Sequence, residues 1–234
     1  MNKFASFDLE IAEDFSPDGD WNENYGITCA AVARTDRPAQ FWFERAPRME
    51  RPLAQRLVKD LQDFEADGYK IVTWNGCAFD FRVLSDVSGM KEECAELAMN
   101  HIDMMLWVTF QKGYYLGLDA ALKGMGIKGK KKVVTLSHGL EITDMSGAKA
   151  PELWAAEEYD AVLDYLLDDV LQPLELVTKI AEGGHLDWRS KRGNYMTVPV
   201  PKLYTVKECF SFAVPDTSWM TNPPTRNGFV EWMK

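Results

Sequence analysis

The sequence predicts an α/β protein: a mixed sheet of five strands flanked by helices, followed by an irregular, β-rich C-terminal extension. Three observations carry that expectation. Three apolar, β-compatible runs stand near the start, a helical repeat and a fourth β-rich run follow them, and a long helical signal fills residues 151–180. Strands, then a helix, then a further strand imply a mixed sheet with helices packed on it.

Taken in order, residues 3–12 form an apolar first strand interrupted by Asp8 and Glu10. Successive strand side chains face opposite ways, so these two acids share one face, two rises of ~3.3 Å apart. The runs at 25–34 and 40–45 read as the second and third strands, separated by the turn signal Thr35-Asp36-Arg37-Pro38, and a polar loop spans 13–24. Pro52 opens a helix whose Leu53, Leu57, Leu61 and Phe64 recur at spacings of three and four, ending near Gly68. Residues 70–74 read as a buried fourth strand, 79–87 and 91–99 as helices, 101–104 as a short fifth strand and 116–125 as another helix. The helical signal at 151–180 is expected in two pieces, with Pro173 as the interruption. From residue 185 onward prolines and aromatics dominate, with a β-like run at 195–200. Residues 1–182 are therefore expected to form one domain and 183–234 an extension packed on it, with Trp188, Trp219 and Trp232 covered.

A chain of 234 residues, 46% hydrophobic and 26% charged, fits an ordinary globular protein. No apolar run approaches the ~18 residues of a membrane span, and the N-terminus lacks signal-peptide features, so a cytoplasmic location is expected. Cys29, Cys77, Cys94 and Cys209 are scattered without a CxxC pair, which argues against zinc or a disulfide framework. A net charge of −10 disfavours a general polyanion binder. An acidic cluster neutralised by cations removes part of that objection, as do the bunched bases Lys128, Lys130, Lys131 and Lys132.

Two carboxylates on one strand face repel unless a cation or a shared proton compensates, and such oxygen-rich pairs suit Mg²⁺ or Mn²⁺. Later acids bear on the pair. Asp80 follows the fourth strand at a strand-to-helix junction, and Tyr165 and Asp169 lie four apart on one face of the long helix. Asp8-Leu9-Glu10, the run Asn75-Gly76-Cys77-Ala78-Phe79-Asp80, and Tyr165-x-x-x-Asp169 match, in order, the three motifs of the DEDD superfamily of 3′–5′ exonucleases, with tyrosine in the third. Over about residues 3–180 the chain resembles this superfamily. It is most similar to stand-alone proteins related to the proofreading domain of family B DNA polymerases.

The resemblance implies a ribonuclease H-like fold and hydrolysis of phosphodiester bonds at a free 3′ end by two divalent cations, Mg²⁺ or Mn²⁺. Asp8 would bridge the cations, Glu10 and Asp169 complete the site of the attacking water, Asp80 hold the second cation, and Tyr165 orient the water. Single-stranded DNA is the favoured substrate. Trimming of RNA 3′ ends and nucleic-acid binding without turnover stay open as alternatives, as does a separate polymerase or repair partner. Asn75 and Phe79 are expected to shape the substrate pocket, though Phe79 suits a core position equally well. Asp103 is either a second candidate acid or a structural one, and Asp164 and Asp168 read as surface charges.

Gly124-Met125-Gly126-Ile127-Lys128-Gly129 fits GxGxxG, but it follows a helix and Lys131 stands where a phosphate loop needs Ser or Thr, so nucleotide binding is not expected. The basic run that includes Lys128, Lys130 and Lys131 has two open readings, a phosphate grip or a solvated charge run. Arg189, Lys191 and Arg192 beside Trp188 and Tyr195 mix cations and aromatics as single-strand binders do.

Overall fold

The computed structural model describes residues 2–13 and 25–234. Apart from Glu13, the polar loop expected at 13–24 lies outside the described residues. The central element is β1 (Phe4–Ile11), third in a five-stranded sheet of order β3-β2-β1-β4-β5. β2 (Ile27–Arg34) pairs antiparallel with β1, and β3 (Arg37–Phe43) pairs antiparallel with β2. On the other side β4 (Lys70–Thr73) runs parallel to β1, and the two-residue β5 (Ile102–Asp103) parallel to β4. The mixed five-stranded sheet expected from the sequence is thus present.

Both faces of β1 are covered, which explains why a single strand is apolar throughout yet holds two acids. Ala5, Phe7, Leu9 and Ile11 point into a core with α1 (Arg51–Ala66), α2 (Asp80–Ser88) and α3 (Lys91–Asn100). The alternate positions, Asp8 and Glu10 among them, face the opposite layer. There Ala31 pairs with Asp8 and Cys29 with Glu10 across the β1–β2 ladder. These small side chains leave room for α7 (Tyr159–Gly183), whose Val162, Tyr165, Leu166 and Val170 share a core with Cys29, Ala31 and Ala33.

Several expectations are corrected. The third strand begins at Arg37, so the turn shrinks to Thr35-Asp36, with Arg34 opposite Arg37. Pro38 is tolerated because β3 is an edge strand, where a missing N–H breaks no essential ladder bond. Residues 104–112 form a helix, α4 (Met104–Lys112), where the sequence suggested none. Its residues from Met104 to Phe110 are all buried, so the run is apolar on every side and shows no helical period. The long helical signal does split, but not at Pro173. α6 (Ala150–Ala155) ends at a turn where Glu157 adopts φ +63°, and Pro173 lies inside the 25-residue α7. The lost hydrogen bond at Pro173 is offset by burial of Leu176, Val177 and Ile180 in the turns that follow.

Beyond α7 the chain forms a hairpin of β8 (His185–Arg189) and β9 (Tyr195–Pro199), the short α8 (Val206–Cys209), and two 3₁₀ turns at Arg226–Phe229 and Glu231–Met233. Leu186, Trp188, Val198, Val206 and Phe229 share one core with α4 and with α5 (Leu118–Gly124). Trp188 is buried there and Trp232 half-buried, whereas Trp219 is 67% exposed, contrary to the expected cover. All four cysteines are buried and free. Among the described residues no helix is long and apolar enough to cross a membrane.

Candidate active site

β1 and α7 meet at the acids. Asp8, Glu10 and Asp169 each offer a carboxylate oxygen, and these oxygens lie within 4.8 Å of one another. Asp80 joins from the first turn of α2: its Oδ1 accepts the Leu9 N–H at 3.3 Å, and its carboxyl shares a hydrogen bond with Asp8. Four acids from a strand, a strand–helix junction and a late helix therefore converge on one point.

Crowding and burial raise their proton affinity. Burial pushes Asp8 well above the usual carboxylate range, aided by Asp80, Asp169 and Glu10 and opposed by Lys130. Glu10 is raised well above its ordinary value by burial and by Asp169. Asp80 rises to about 7, mainly through burial, and Asp169 is raised by burial against the pull of Lys130. Asp169 Oδ1 is buried without a hydrogen-bond partner among the described residues. An all-oxygen donor set, an orphaned buried carboxylate oxygen and acids reluctant to ionise together fit a site for hard divalent cations.

Tyr165 lies one turn before Asp169 on the same helical face and is buried. Burial and Asp169 raise its phenol above the ordinary value, so it stays protonated at neutral pH. Lys130 is the cation in the site: its ammonium sits 2.9 Å from Asp169 Oδ2 and 5.4 Å from the Tyr165 ring centroid. Burial works against this ammonium, but Asp169, Tyr165 and Asp8 outweigh it and keep the group charged. The basic run is therefore divided. Lys130 turns into the acid cluster, Lys131 pairs with Asp164 at 2.6 Å, and Lys128 is exposed.

The loop that delivers Lys130 is pinned. Asp119 Oδ1 accepts the Lys130 N–H at 3.1 Å, and Gln172 Nε2 donates to the Gly129 carbonyl at 3.1 Å and to Asp168 at 3.0 Å. The glycines of the GxGxxG match have packing reasons instead. A Cβ on Gly124 would lie 1.9 Å from the Asp187 carbonyl oxygen of β8, and one on Gly129 would lie 2.3 Å from Asp119 Oδ1. Gly126 has φ +69°.

A second pinned loop presents Asp80. Asp103 Oδ1 accepts N–H groups from Asn75 (2.9 Å) and Met105 (3.1 Å), and Oδ2 accepts that of Cys77 (3.1 Å). Asp103 thus caps α4 and fastens the loop, the structural alternative of its two readings. Asn75 sits at φ +73°, in the left-handed region asparagine tolerates. Thr73 Oγ1 accepts the Gly76 N–H at 3.0 Å, and a Cβ on Gly76 would approach that oxygen to 2.5 Å. Beneath them His101 Nδ1 lies 2.8 Å from the Ala98 carbonyl and Nε2 lies 2.9 Å from Thr73 Oγ1. A carbonyl only accepts, so Nδ1 carries the proton. Burial lowers this imidazole to about 4, and it stays neutral. No local sequence signal announced the Asp103 and His101 supports, because each joins residues nearly 30 positions apart.

Asn75 and Phe79 are half-buried and line a cleft of about 1150 Å³ beside the acids. The basic–aromatic cluster on the β8–β9 hairpin does not offer the same service. Trp188 is buried in the core and Tyr195 is bonded through its hydroxyl to Asp187.

No curated protein matches the chain. Among solved structures, the family B DNA polymerase from the hyperthermophilic archaeon Pyrobaculum calidifontis is similar in fold, with a TM-score of 0.54 and 21% identity. The match covers 77% of this chain and 24% of the polymerase, so the chain spans about a quarter of that protein's length. Residues 7–181 match the family RNase_H_2 of the RNase_H superfamily. That span runs from β1 to the end of α7 and contains all four converging acids. The chain therefore belongs to the RNase_H_2 family and carries a ribonuclease H-like domain.

Proposed function

We propose that the protein is a metal-dependent 3′–5′ exonuclease that removes nucleoside monophosphates from the 3′ end of single-stranded DNA. The carrying observation is the convergence of Asp8, Glu10 and Asp169 within 4.8 Å, with Asp80 hydrogen-bonded to Asp8. Membership of the RNase_H superfamily supports nuclease chemistry, and the shared fold with a DNA polymerase supports DNA as the polymer. In this reading Asp8, Glu10 and Asp169 hold one Mg²⁺ or Mn²⁺, and Asp8 with Asp80 holds a second. Such a pair supplies a water acidified for attack and positive charge beside the departing 3′-oxygen.

The chain's own residues do the rest. Tyr165, protonated and one turn from Asp169, donates to the attacking water and fixes its direction, since a phenol raised above its ordinary pKa is a poor base. Asp103 and Thr73 hold the 75–77 loop rigid, so Asp80 meets Asp8 without a search through loop conformers. Asn75 and Phe79, on the cleft wall, contact the terminal nucleotide.

The test is digestion of a 5′-labelled single-stranded oligonucleotide with Mg²⁺ or Mn²⁺. A ladder shortened from the 3′ end is expected. Asp8→Ala should lower the rate by about 10³-fold or more, because the charge stabilisation removed is several kcal/mol. Cleavage that persists in chelator and in Asp8→Ala would overturn the mechanism.

A further inference from the structure

The cleft beside the acids is built by two distant parts of the chain. One wall is the segment after β4, with Trp74, Phe79 and Arg82, and the floor includes Met105 of α4. The other walls are Tyr115, before α5, and the C-terminal turns, with Phe229 and Trp232. Glu231 is the one acid on its lining.

The C-terminal wall is fixed to the loop that presents Asp80. The Trp232 indole donates to the Cys77 carbonyl at 2.9 Å, and Cys77 Sγ donates to the Phe229 carbonyl at 3.5 Å. Arg226 braces the turn by donating to the carbonyls of Phe110, Phe210, Phe212 and Ala213 at 2.8–3.2 Å. Phe229 packs on Phe110 and Tyr115, with ring centroids 5.5 and 5.9 Å apart. Tyr115 nonetheless keeps 60% of its surface exposed, and Trp74, Phe79 and Trp232 are half-buried. Partly exposed aromatic faces around one cleft invite a flat, apolar occupant.

Resting on the exonuclease reading, we propose that this cleft takes the unpaired bases of the 3′-terminal nucleotides, with the C-terminal turns as its outer stacking wall. The occupant must reach the carboxylates with a charged phosphodiester while laying flat rings on aromatics, and an unpaired strand does both. Phe79 and Asp80 are adjacent in the chain, so the base site and the acid cluster share a boundary. At about 1150 Å³ the space exceeds the ~300–1,000 Å³ of a small-ligand site, so it suits more than one nucleotide. Duplex ends cannot use it, because paired bases hide their faces. The C-terminal segment thereby makes the enzyme selective for single strands.

The experiment measures binding of a 5′-fluorescein oligothymidylate by anisotropy in chelator, where hydrolysis is absent. Tyr115→Ala, at an exposed position, should weaken binding at least about fivefold, the lower end of aromatic–base stacking. The wild type should bind an oligonucleotide abasic at its last three positions more weakly by a similar factor, and Tyr115→Ala should erase that difference. Trp232→Phe, which keeps a ring while losing the Cys77 bond, should retain more affinity than Trp232→Ala. Equal binding of intact and abasic strands by the wild type, or no binding at all, overturns the proposal. So does a well-folded Tyr115→Ala that binds as the wild type does. Metal-dependent cleavage lost in Asp8→Ala, together with base-independent binding, would leave the exonuclease reading standing and sink the cleft alone. Base-dependent binding without cleavage under either metal would do the reverse.

Discussion

Replacing Asp80 by Asn isolates the electrostatic cost of assembling the acid cluster. Burial raises the Asp80 carboxyl from 3.8 to about 7. The folded protein thus holds this proton where the unfolded chain has released it, so between about pH 4 and 7 native stability falls as pH rises. At ~1.36 kcal/mol per pKa unit, the full cost above pH 7 is about 4 kcal/mol, an upper value because neighbouring carboxyls share the proton. Asparagine keeps an oxygen to accept the Leu9 N–H but cannot ionise. In chelator, the stability gain of Asp80→Asn should therefore grow with pH, from about 1–2 kcal/mol at pH 5 to about 3 kcal/mol at pH 8, and then level off. Urea unfolding of both proteins at several pH values measures it. Mg²⁺ should invert the order by stabilising the wild type through mass action while doing little for the variant. A gain independent of pH, or destabilisation at pH 8 in chelator, would refute the claim that burial of ionised Asp80 is costly.

Three further outcomes are expected. Tyr165→Phe should lower kcat by roughly 10- to 100-fold with KM nearly unchanged, as for loss of one hydrogen bond of ~1.5–3 kcal/mol to a charged centre; steady-state kinetics on a short oligonucleotide reads it. Lys130→Met removes the cation on Asp169, so melting in chelator should drop by a few degrees, for a loss of about 1–2 kcal/mol, while the rise produced by Mg²⁺ becomes larger. Gly124→Ala offers a helix-propensity gain of ~1 kcal/mol but places a Cβ 1.9 Å from the Asp187 carbonyl oxygen. The backbone clash wins, and thermal melting should fall by ~4–8 °C for a net loss of about 2 kcal/mol.

Legibility followed the range of each interaction. Local repeats announced α1 through Leu53, Leu57, Leu61 and Phe64, and alternation announced β1 with its acids. The same logic failed at α4, whose Trp107 and Phe110 are buried on every side and so leave no period. It also misplaced the break before α7. Pro173 carries the strong local penalty, but the packing of Leu176 and Ile180 lies outside any short window.

By itself the sequence determined that Asp8 and Glu10 share a face, that Asp80 opens a helix after a buried strand, and that Tyr165 and Asp169 stack on one helical face. Each statement rests on fixed periods of the backbone, two residues in a strand and 3.6 in a helix. Only the tertiary structure decided what surrounds those acids. It turned Lys130 inward onto Asp169 while Lys131 went to Asp164, gave both oxygens of Asp103 to backbone N–H groups, and brought Trp232 to the carbonyl of Cys77, 155 positions away. Such contacts depend on how layers pack and where loops close, and chain separation writes no period for them. The acids were therefore readable from the chain, whereas their counter-cation and the aromatic cleft beside them emerged only from the fold.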